Sequence, residues 1–150
     1  MTTTQHIIDR AEEKCQSRGS RLTDKRKYIL LGLVSSGKAL SAYELMDYCR
    51  EEFDQNIPAM SVYRILDFLQ EEQLVHKLNL AKKYVACSHI SCGHRHEVPQ
   101  FLICNQCSNV KEIAISRSIV DGLKENVERA DYQLLDTQIE LNCLCQACAA

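Results

Sequence analysis

Apolar positions in the first 70 residues recur at helical intervals. In "TQHIIDRAEEKC" (4–15), Ile7, Ile8, Ala11 and Cys15 share one face, and in "TDKRKYILLGLV" (23–34) Ile29, Leu30, Leu33 and Val34 do the same behind a Thr23 cap. A third helix opens at the capping box "SAYE", with Ser41 at the cap and Glu44 three residues on, and is expected to bury Leu45, Met46, Cys49 and Phe53. Pro58 marks a fourth start. Within "PAMSVYRILDFLQEEQ" (58–73), Val62, Ile65, Leu66 and Leu69 form the inner face, while Met60, Arg64 and Asp67 point outward with Tyr63 on the flank.

Two strand-like runs follow, "LVHKL" (74–78) and "KYVAC" (83–87), joined by a short polar turn. Helices ending in a small hairpin predict a winged helix-turn-helix whose fourth helix is the reader. Such a helix reads base edges with residues near its N-terminus, here Ser61, Tyr63 and Arg64. Arg64 could donate two hydrogen bonds to a guanine, and Tyr63 could touch a thymine methyl or a phosphate. Asp67, Glu71 and Glu72 limit close approach to the first two turns. Periodicity alone leaves open an ordinary amphipathic helix whose Tyr and Arg are merely solvated.

The texture changes past residue 84. Strand-like runs "FLIC" (101–104), "NVKEIAI" (109–115) and "QLLDTQIELNC" (133–143) surround one helix, "SRSIVDGLKENVERA" (116–130), with an apolar face of Ile119, Val120, Leu123 and Val127. The expected fold class is α+β: a winged-helix DNA-binding domain over 1–83 and a small α/β domain over 84–150, with a hinge at about 80–90. The second region is short and has little core, so a metal and a second subunit would both help it fold.

Composition narrows the class. With 150 residues and 45 % hydrophobic content, the chain suits one ordinary domain or two small ones. No run approaches the roughly 18 apolar residues of a membrane span, and the N-terminus is charged too early for a signal peptide, so residence is expected in the cytoplasm, with no membrane partner. The net charge of −2 is uneven: residues 1–83 carry 13 Lys+Arg against 12 Asp+Glu, residues 84–150 carry 5 against 8. Arg21, Lys25, Arg26 and Lys27 cluster in the first half, and a local patch of this kind can bind phosphate even on an acidic chain.

Nine cysteines carry the chemistry. "FLICNQC" (101–107) and "NCLCQAC" (142–148) hold two Cys-x-x-Cys pairs with 37 residues between them. In a reducing compartment such pairs are more often metal-binding or catalytic than bridged. A thioredoxin-like centre needs its Cys-x-x-Cys at a helix start, whereas Cys107 runs into the strand-like "SNVKEIAI". The spacing therefore predicts a closed four-thiolate zinc site of Cys104, Cys107, Cys145 and Cys148, with no open position for catalysis. The chain is accordingly expected not to be an enzyme. A thiol oxidoreductase, an oxidation sensor switching through Cys87 and Cys92, and a zinc-stabilised protein adaptor are the rivals.

A second cluster, "CSHISCGHRHEVPQ" (87–100), packs Cys87, His89, Cys92, His94 and His96 into ten residues. Imidazole with thiolate suits zinc better than magnesium or manganese. A mixed site is also weaker than one of four thiolates, and hence reversible.

The segments "RLTDKR" (21–26), "SAYELMD" (41–47), "SVYRILDFL" (61–69), "LVHK" (74–77), "YVAC" (84–87), "FLICNQCSNVKE" (101–112) and "CQAC" (145–148) together resemble the ferric uptake regulator family, and within it the branch of zinc uptake regulators. The resemblance implies a zinc-responsive repressor that binds double-stranded operator DNA as a homodimer and controls zinc uptake genes, with two Zn2+ per subunit. It places structural zinc on Cys104, Cys107, Cys145 and Cys148. Regulatory zinc falls on His76, Cys87, Glu112 and His96, with His94 as the substitute because the loop between Cys87 and Cys104 is longer than usual. DNA contacts fall on Tyr63, Arg64 and Tyr43. Cys92 and Cys143 are additional thiols, and Ser61 stands where threonine is common. An iron sensor on the same fold is the alternative, disfavoured by the soft thiolate of Cys87.

Overall fold

In the computed structural model, residues 3–90, 98–135 and 137–150 are described, and they fall into two compact units divided between residues 93 and 94. The first unit holds four helices and a hairpin: α1 (Thr3–Ser17), α2 (Asp24–Ser36), α3 (Ala42–Phe53), α4 (Ala59–Glu71), β1 (Val75–Leu78) and β2 (Lys83–Ala86). The helical faces read from the sequence meet in one apolar cluster. Ile8, Ala11 and Cys15 come from α1, Ile29, Leu30 and Leu33 from α2, Leu45 and Cys49 from α3, and Val62, Ile65, Leu66 and Leu69 from α4. Ile7, Val34, Met46 and Phe53 are only partly buried against it.

Caps and close approaches fix the helices. Both arms of the capping box form, the Glu44 amide donating to Ser41 Oγ and the Ser41 amide to Glu44 Oε1, each over 3.1 Å. Thr23 occupies the α2 cap in extended backbone, but its side chain makes no capping hydrogen bond. Where α2 crosses α3, a Cβ on Gly32 would lie 2.7 Å from Leu45 Cδ1 and 3.4 Å from Cys49 Sγ, so a larger residue there would have to push the Leu45 side chain aside.

The first unit reaches past the expected boundary at 83, and hydrogen bonds give the reason. Leu40 and Tyr84 exchange amide-to-carbonyl bonds of 3.0 and 2.8 Å, which ties the hairpin to the segment before α3. The Cys87 amide donates to the Leu74 carbonyl over 2.9 Å, and Cys87 and Ile90 both enter the apolar cluster.

The second unit contains β3 (Pro99–Cys104), β4 (Val110–Ala114), α5 (Arg117–Arg129), β5 (Ile139–Cys143) and a short α6 (Gln146–Ala149). The sheet order is β4-β3-β5, with β3 antiparallel to β4 and parallel to β5. A parallel neighbour requires a crossover, and α5 lies within it. Of the described residues in the expected strand over 133–143, the last five, Ile139–Cys143, are strand. Phe101, Ile103, Cys104 and Ile115 are buried, whereas α5 buries none of its residues and leaves Ile119 and Leu123 exposed. On the apolar face expected for this helix, Val120 and Val127 are half-buried while Ile119 and Leu123 stay exposed.

Candidate metal centre and nucleic-acid interface

Cys104 ends β3, and Cys107 follows in a tight turn closed by the Ser108 amide donating to the Cys104 carbonyl over 3.0 Å. Ser108 takes the left-handed backbone at φ 63°, which reverses the chain. Cys145 caps α6, and Cys148 lies within it. The two pairs are distant in sequence. Parallel pairing of β3 and β5 sets Cys104 beside Cys143, so the ends of both strands deliver their pairs to one place.

There the four sulfurs lie within 4.8 Å of one another, and none is bridged. The Cys107 and Cys145 Sγ atoms are 3.7 Å apart. A disulfide requires about 2.05 Å. A tetrahedron with metal–sulfur bonds of about 2.3 Å has edges of about 3.8 Å, so the observed spacing suits a thiolate-preferring cation such as zinc.

The protonation of the cluster points the same way. Backbone hydrogen bonds, first at Cys107 and then at Cys145, hold the Cys104 thiol down to about 6. One of them is the Cys145 amide, which donates to Cys104 Sγ over 3.4 Å. Cys148 is pushed up to about 12 by the Cys145 thiol, by loss of solvation and by its other sulfur neighbours. At Cys107 the Asn109 amide acts downward, but Cys104, desolvation and Cys145 outweigh it, and the thiol is raised. A cluster that favours the thiolate at Cys104 and resists ionising Cys107 and Cys148 suits a central positive charge, which would hold these sulfurs as thiolates.

His76 lies on β1 opposite Val85, and Cys87 sits buried one residue beyond β2. A ring nitrogen of His76 and the Cys87 sulfur lie within 4.8 Å of each other, an imidazole and a thiolate donor held together at the base of the hairpin. The His89 amide donates to Cys87 Sγ over 3.4 Å. Glu112 belongs to the second unit, on β4 opposite Phe101. Cys92, His94 and His96 lie outside the described residues. Cys143 is partly buried on β5 beside Cys104, and it is not a member of the four-sulfur group.

On the first unit, α4 directs Met60, Tyr63 and Arg64 into solvent, and Tyr43 in the first turn of α3 is 59 % exposed. The Tyr43 and Tyr63 rings meet edge to face, with centroids 6.4 Å apart and planes at 82°. Beside them opens a cavity of about 320 Å³ lined by Ser41, Ala42, Tyr63, Lys77, Lys82 and Tyr84, among others. Two lysines and the amino end of a helix bias this hollow towards anions. Lys77 and Lys82 did not emerge from the sequence as candidates; one lies on β1 and the other in the turn before β2, and only the fold sets them beside the start of α3. Asp47 and Arg50 pair within α3 at 2.9 Å, as their i, i+3 spacing allows.

A model of the ferric uptake regulator family matches residues 17–142. The chain belongs to that family. A relative, the zinc uptake regulation protein of Escherichia coli (strain K12), is 37 % identical over 147 residues, spanning 98 % of this chain and 84 % of the relative. Among solved structures, a zinc uptake regulator complexed with zinc and DNA aligns with a TM-score of 0.86 at 34 % identity, covering 99 % of this chain and 97 % of the other. A crystal structure of holo XcZur aligns at 0.79 and 34 % identity, covering 95 % and 96 %. The α+β architecture and the winged-helix first unit are those of this family. No helix among the described residues is long and apolar enough to cross a membrane.

Proposed function

We propose that this protein is a zinc-responsive transcriptional repressor of the cytoplasm. It would bind double-stranded operator DNA as a homodimer when a regulatory site is filled, and so control zinc uptake genes. The observation that carries the reading is the separation of two donor sets: four thiols clustered in the second unit, and a mixed imidazole–thiol pair at the base of the hairpin that follows the reading helix.

The two sets suit different roles. Cys104, Cys107, Cys145 and Cys148 would hold a structural ion so firmly that it stays in place as conditions change. His76 and Cys87, completed by Glu112 and His96, with His94 as the substitute, form the regulatory set, giving two ions per subunit. Bound there, the metal supplies a positive centre that mixed nitrogen, sulfur and oxygen donors hold reversibly. The Cys87 sulfur favours zinc over iron or manganese.

Because the proposed regulatory set draws on both units, its ligation restricts their relative freedom. In a dimer that restriction sets the spacing of the two reading helices, which must fit successive major grooves. Carrying such an equilibrium from 1:99 to 99:1 takes about 5.5 kcal/mol of differential affinity. The uncovered apolar face of α5 supports a second copy of the chain as the dimer partner. On the DNA, Arg64 would meet a base edge, Tyr63 and Tyr43 would flank it, and Lys77 and Lys82 would neutralise phosphate.

The test is a titration of duplex binding against buffered free zinc, with iron and manganese as controls, on duplexes enriched from a random library with the zinc-loaded protein. Binding is expected to rise with zinc alone; a rise with iron alone would replace zinc as the sensed metal. Cys87→Ser should give a folded protein whose binding no longer responds to zinc, and a normal response would remove Cys87 from the sensor. Arg64→Ala should weaken specific binding by about 1–3 kcal/mol, and unchanged sequence discrimination would argue against a base contact.

A further inference from the structure

We infer that Met60 is a further specificity-determining residue, reading the C5-methyl group of a thymine one or two base pairs from the one contacted by Arg64. The inference rests on the DNA-reading role proposed above and adds to it a position that neither the Arg64 contact nor the tyrosine pair requires. Met60 lies in the first turn of α4, two-thirds exposed at 66 %, while Val62, Ile65, Leu66 and Leu69 of the same helix are buried. It therefore contributes nothing to the core through which α4 is anchored.

Position and chemistry restrict what it can meet. Met60 and Arg64 are four positions apart, so the two side chains share the outer face about 6 Å apart along the axis. Bases stack about 3.4 Å apart, which brings Met60 within one or two base pairs of the Arg64 contact. The helix must enter the groove by this end, because Asp67 and Glu71 on later turns are repelled by phosphates. Tyr43 and Tyr63, 59 % and 40 % exposed, extend the apolar surface beside it. A thioether offers no hydrogen-bond donor and only a weak acceptor, so Met60 gains little from base-edge polar atoms or phosphates. The one apolar feature of the major-groove edge is the thymine methyl. The flexible, polarizable methionine side chain adapts to such a small target.

The experiment enriches a random duplex library with the zinc-loaded wild-type protein, with Met60→Ala and with Met60→Leu. Wild type should prefer thymine at one position, one or two base pairs from the Arg64-dependent purine. Met60→Ala should lose that preference alone, and Met60→Leu should keep most of it. In the enriched duplex, exchanging that thymine for deoxyuridine removes only the methyl. This exchange should weaken wild-type binding by about fourfold, the worth of one methyl-sized group removed from water, and leave Met60→Ala unaffected. Identical preferences for wild type and Met60→Ala, or an equal loss on deoxyuridine exchange in both, would overturn the inference while leaving DNA reading intact. A library in which wild type enriches nothing would overturn both.

Discussion

The two units of this chain are stabilised by different physics. The first buries an apolar face of each of its four helices in one cluster, closed by Tyr84, Cys87 and Ile90 from the hairpin and the segment after it. The second buries Phe101, Ile103, Cys104 and Ile115, and its one long helix buries nothing. A three-stranded sheet with so small a core depends on something besides its own apolar burial. The sulfur cluster at the ends of β3 and β5 offers one such support, and the uncovered face of α5 another. Both of these features lie in the second unit, while Tyr43, Tyr63 and Arg64 sit on a unit with an apolar core of its own.

The largest effect separating the units should come from metal removal. Stripping with a strong chelator under reducing conditions, or Cys104→Ser, should abolish amide-exchange protection in β3, β4 and β5 while α2, α3 and α4 keep theirs. Zinc held by four thiolates contributes about 10–16 kcal/mol to folding in small metal domains, far beyond what four buried residues supply. Full protection of the sheet after stripping would break the comparison.

A smaller and opposite effect belongs to Leu66→Ala, at a fully buried position of the first unit. It should cost about 2–5 kcal/mol in denaturant unfolding of that unit and leave zinc stoichiometry unchanged. A matching loss of bound zinc would mean that the units do not fold independently.

The smallest sharpening concerns the capping box. Ser41→Ala should cost about 1 kcal/mol of first-unit stability, read as a lowered denaturation midpoint. Hydrogen bonds from Ser41, the backbone one first, together with Lys83 hold the Glu44 carboxyl below its ordinary range. The folded unit therefore binds fewer protons here than the unfolded chain. This stabilisation is present above the ordinary carboxylate range and is lost as pH falls through the depressed folded value. Comparing wild type with Glu44→Gln across acid pH should show their difference vanish at the low end; a difference independent of pH would assign the effect to packing.

The sequence was most legible where structure is local. Helical periodicity identified the buried faces of α1 to α4, and the Ser41–Glu44 spacing identified a capping box that forms with both arms. Thr23 shows the margin of such reasoning, since residue type made it a capping candidate and the local geometry left its side chain unused. Among the described residues of the strand expected over 133–143, only Ile139–Cys143 finds a partner in β3.

By itself, then, the sequence determined the helices, the hairpin and the pairing of thiols two by two, because these depend on residues a few positions apart. The spacing of the two Cys-x-x-Cys pairs also predicted that the pair at Cys104 meets the pair at Cys145, but tertiary structure alone decided how, since the parallel register between β3 and β5 that brings them together is a long-range choice that spacing does not encode. It likewise placed Tyr43 against Tyr63, carried the first unit through Ile90 and left Ile119 and Leu123 of α5 exposed. Whether an amphipathic face is buried depends on what stands opposite it, and no pattern within a single helix carries that information.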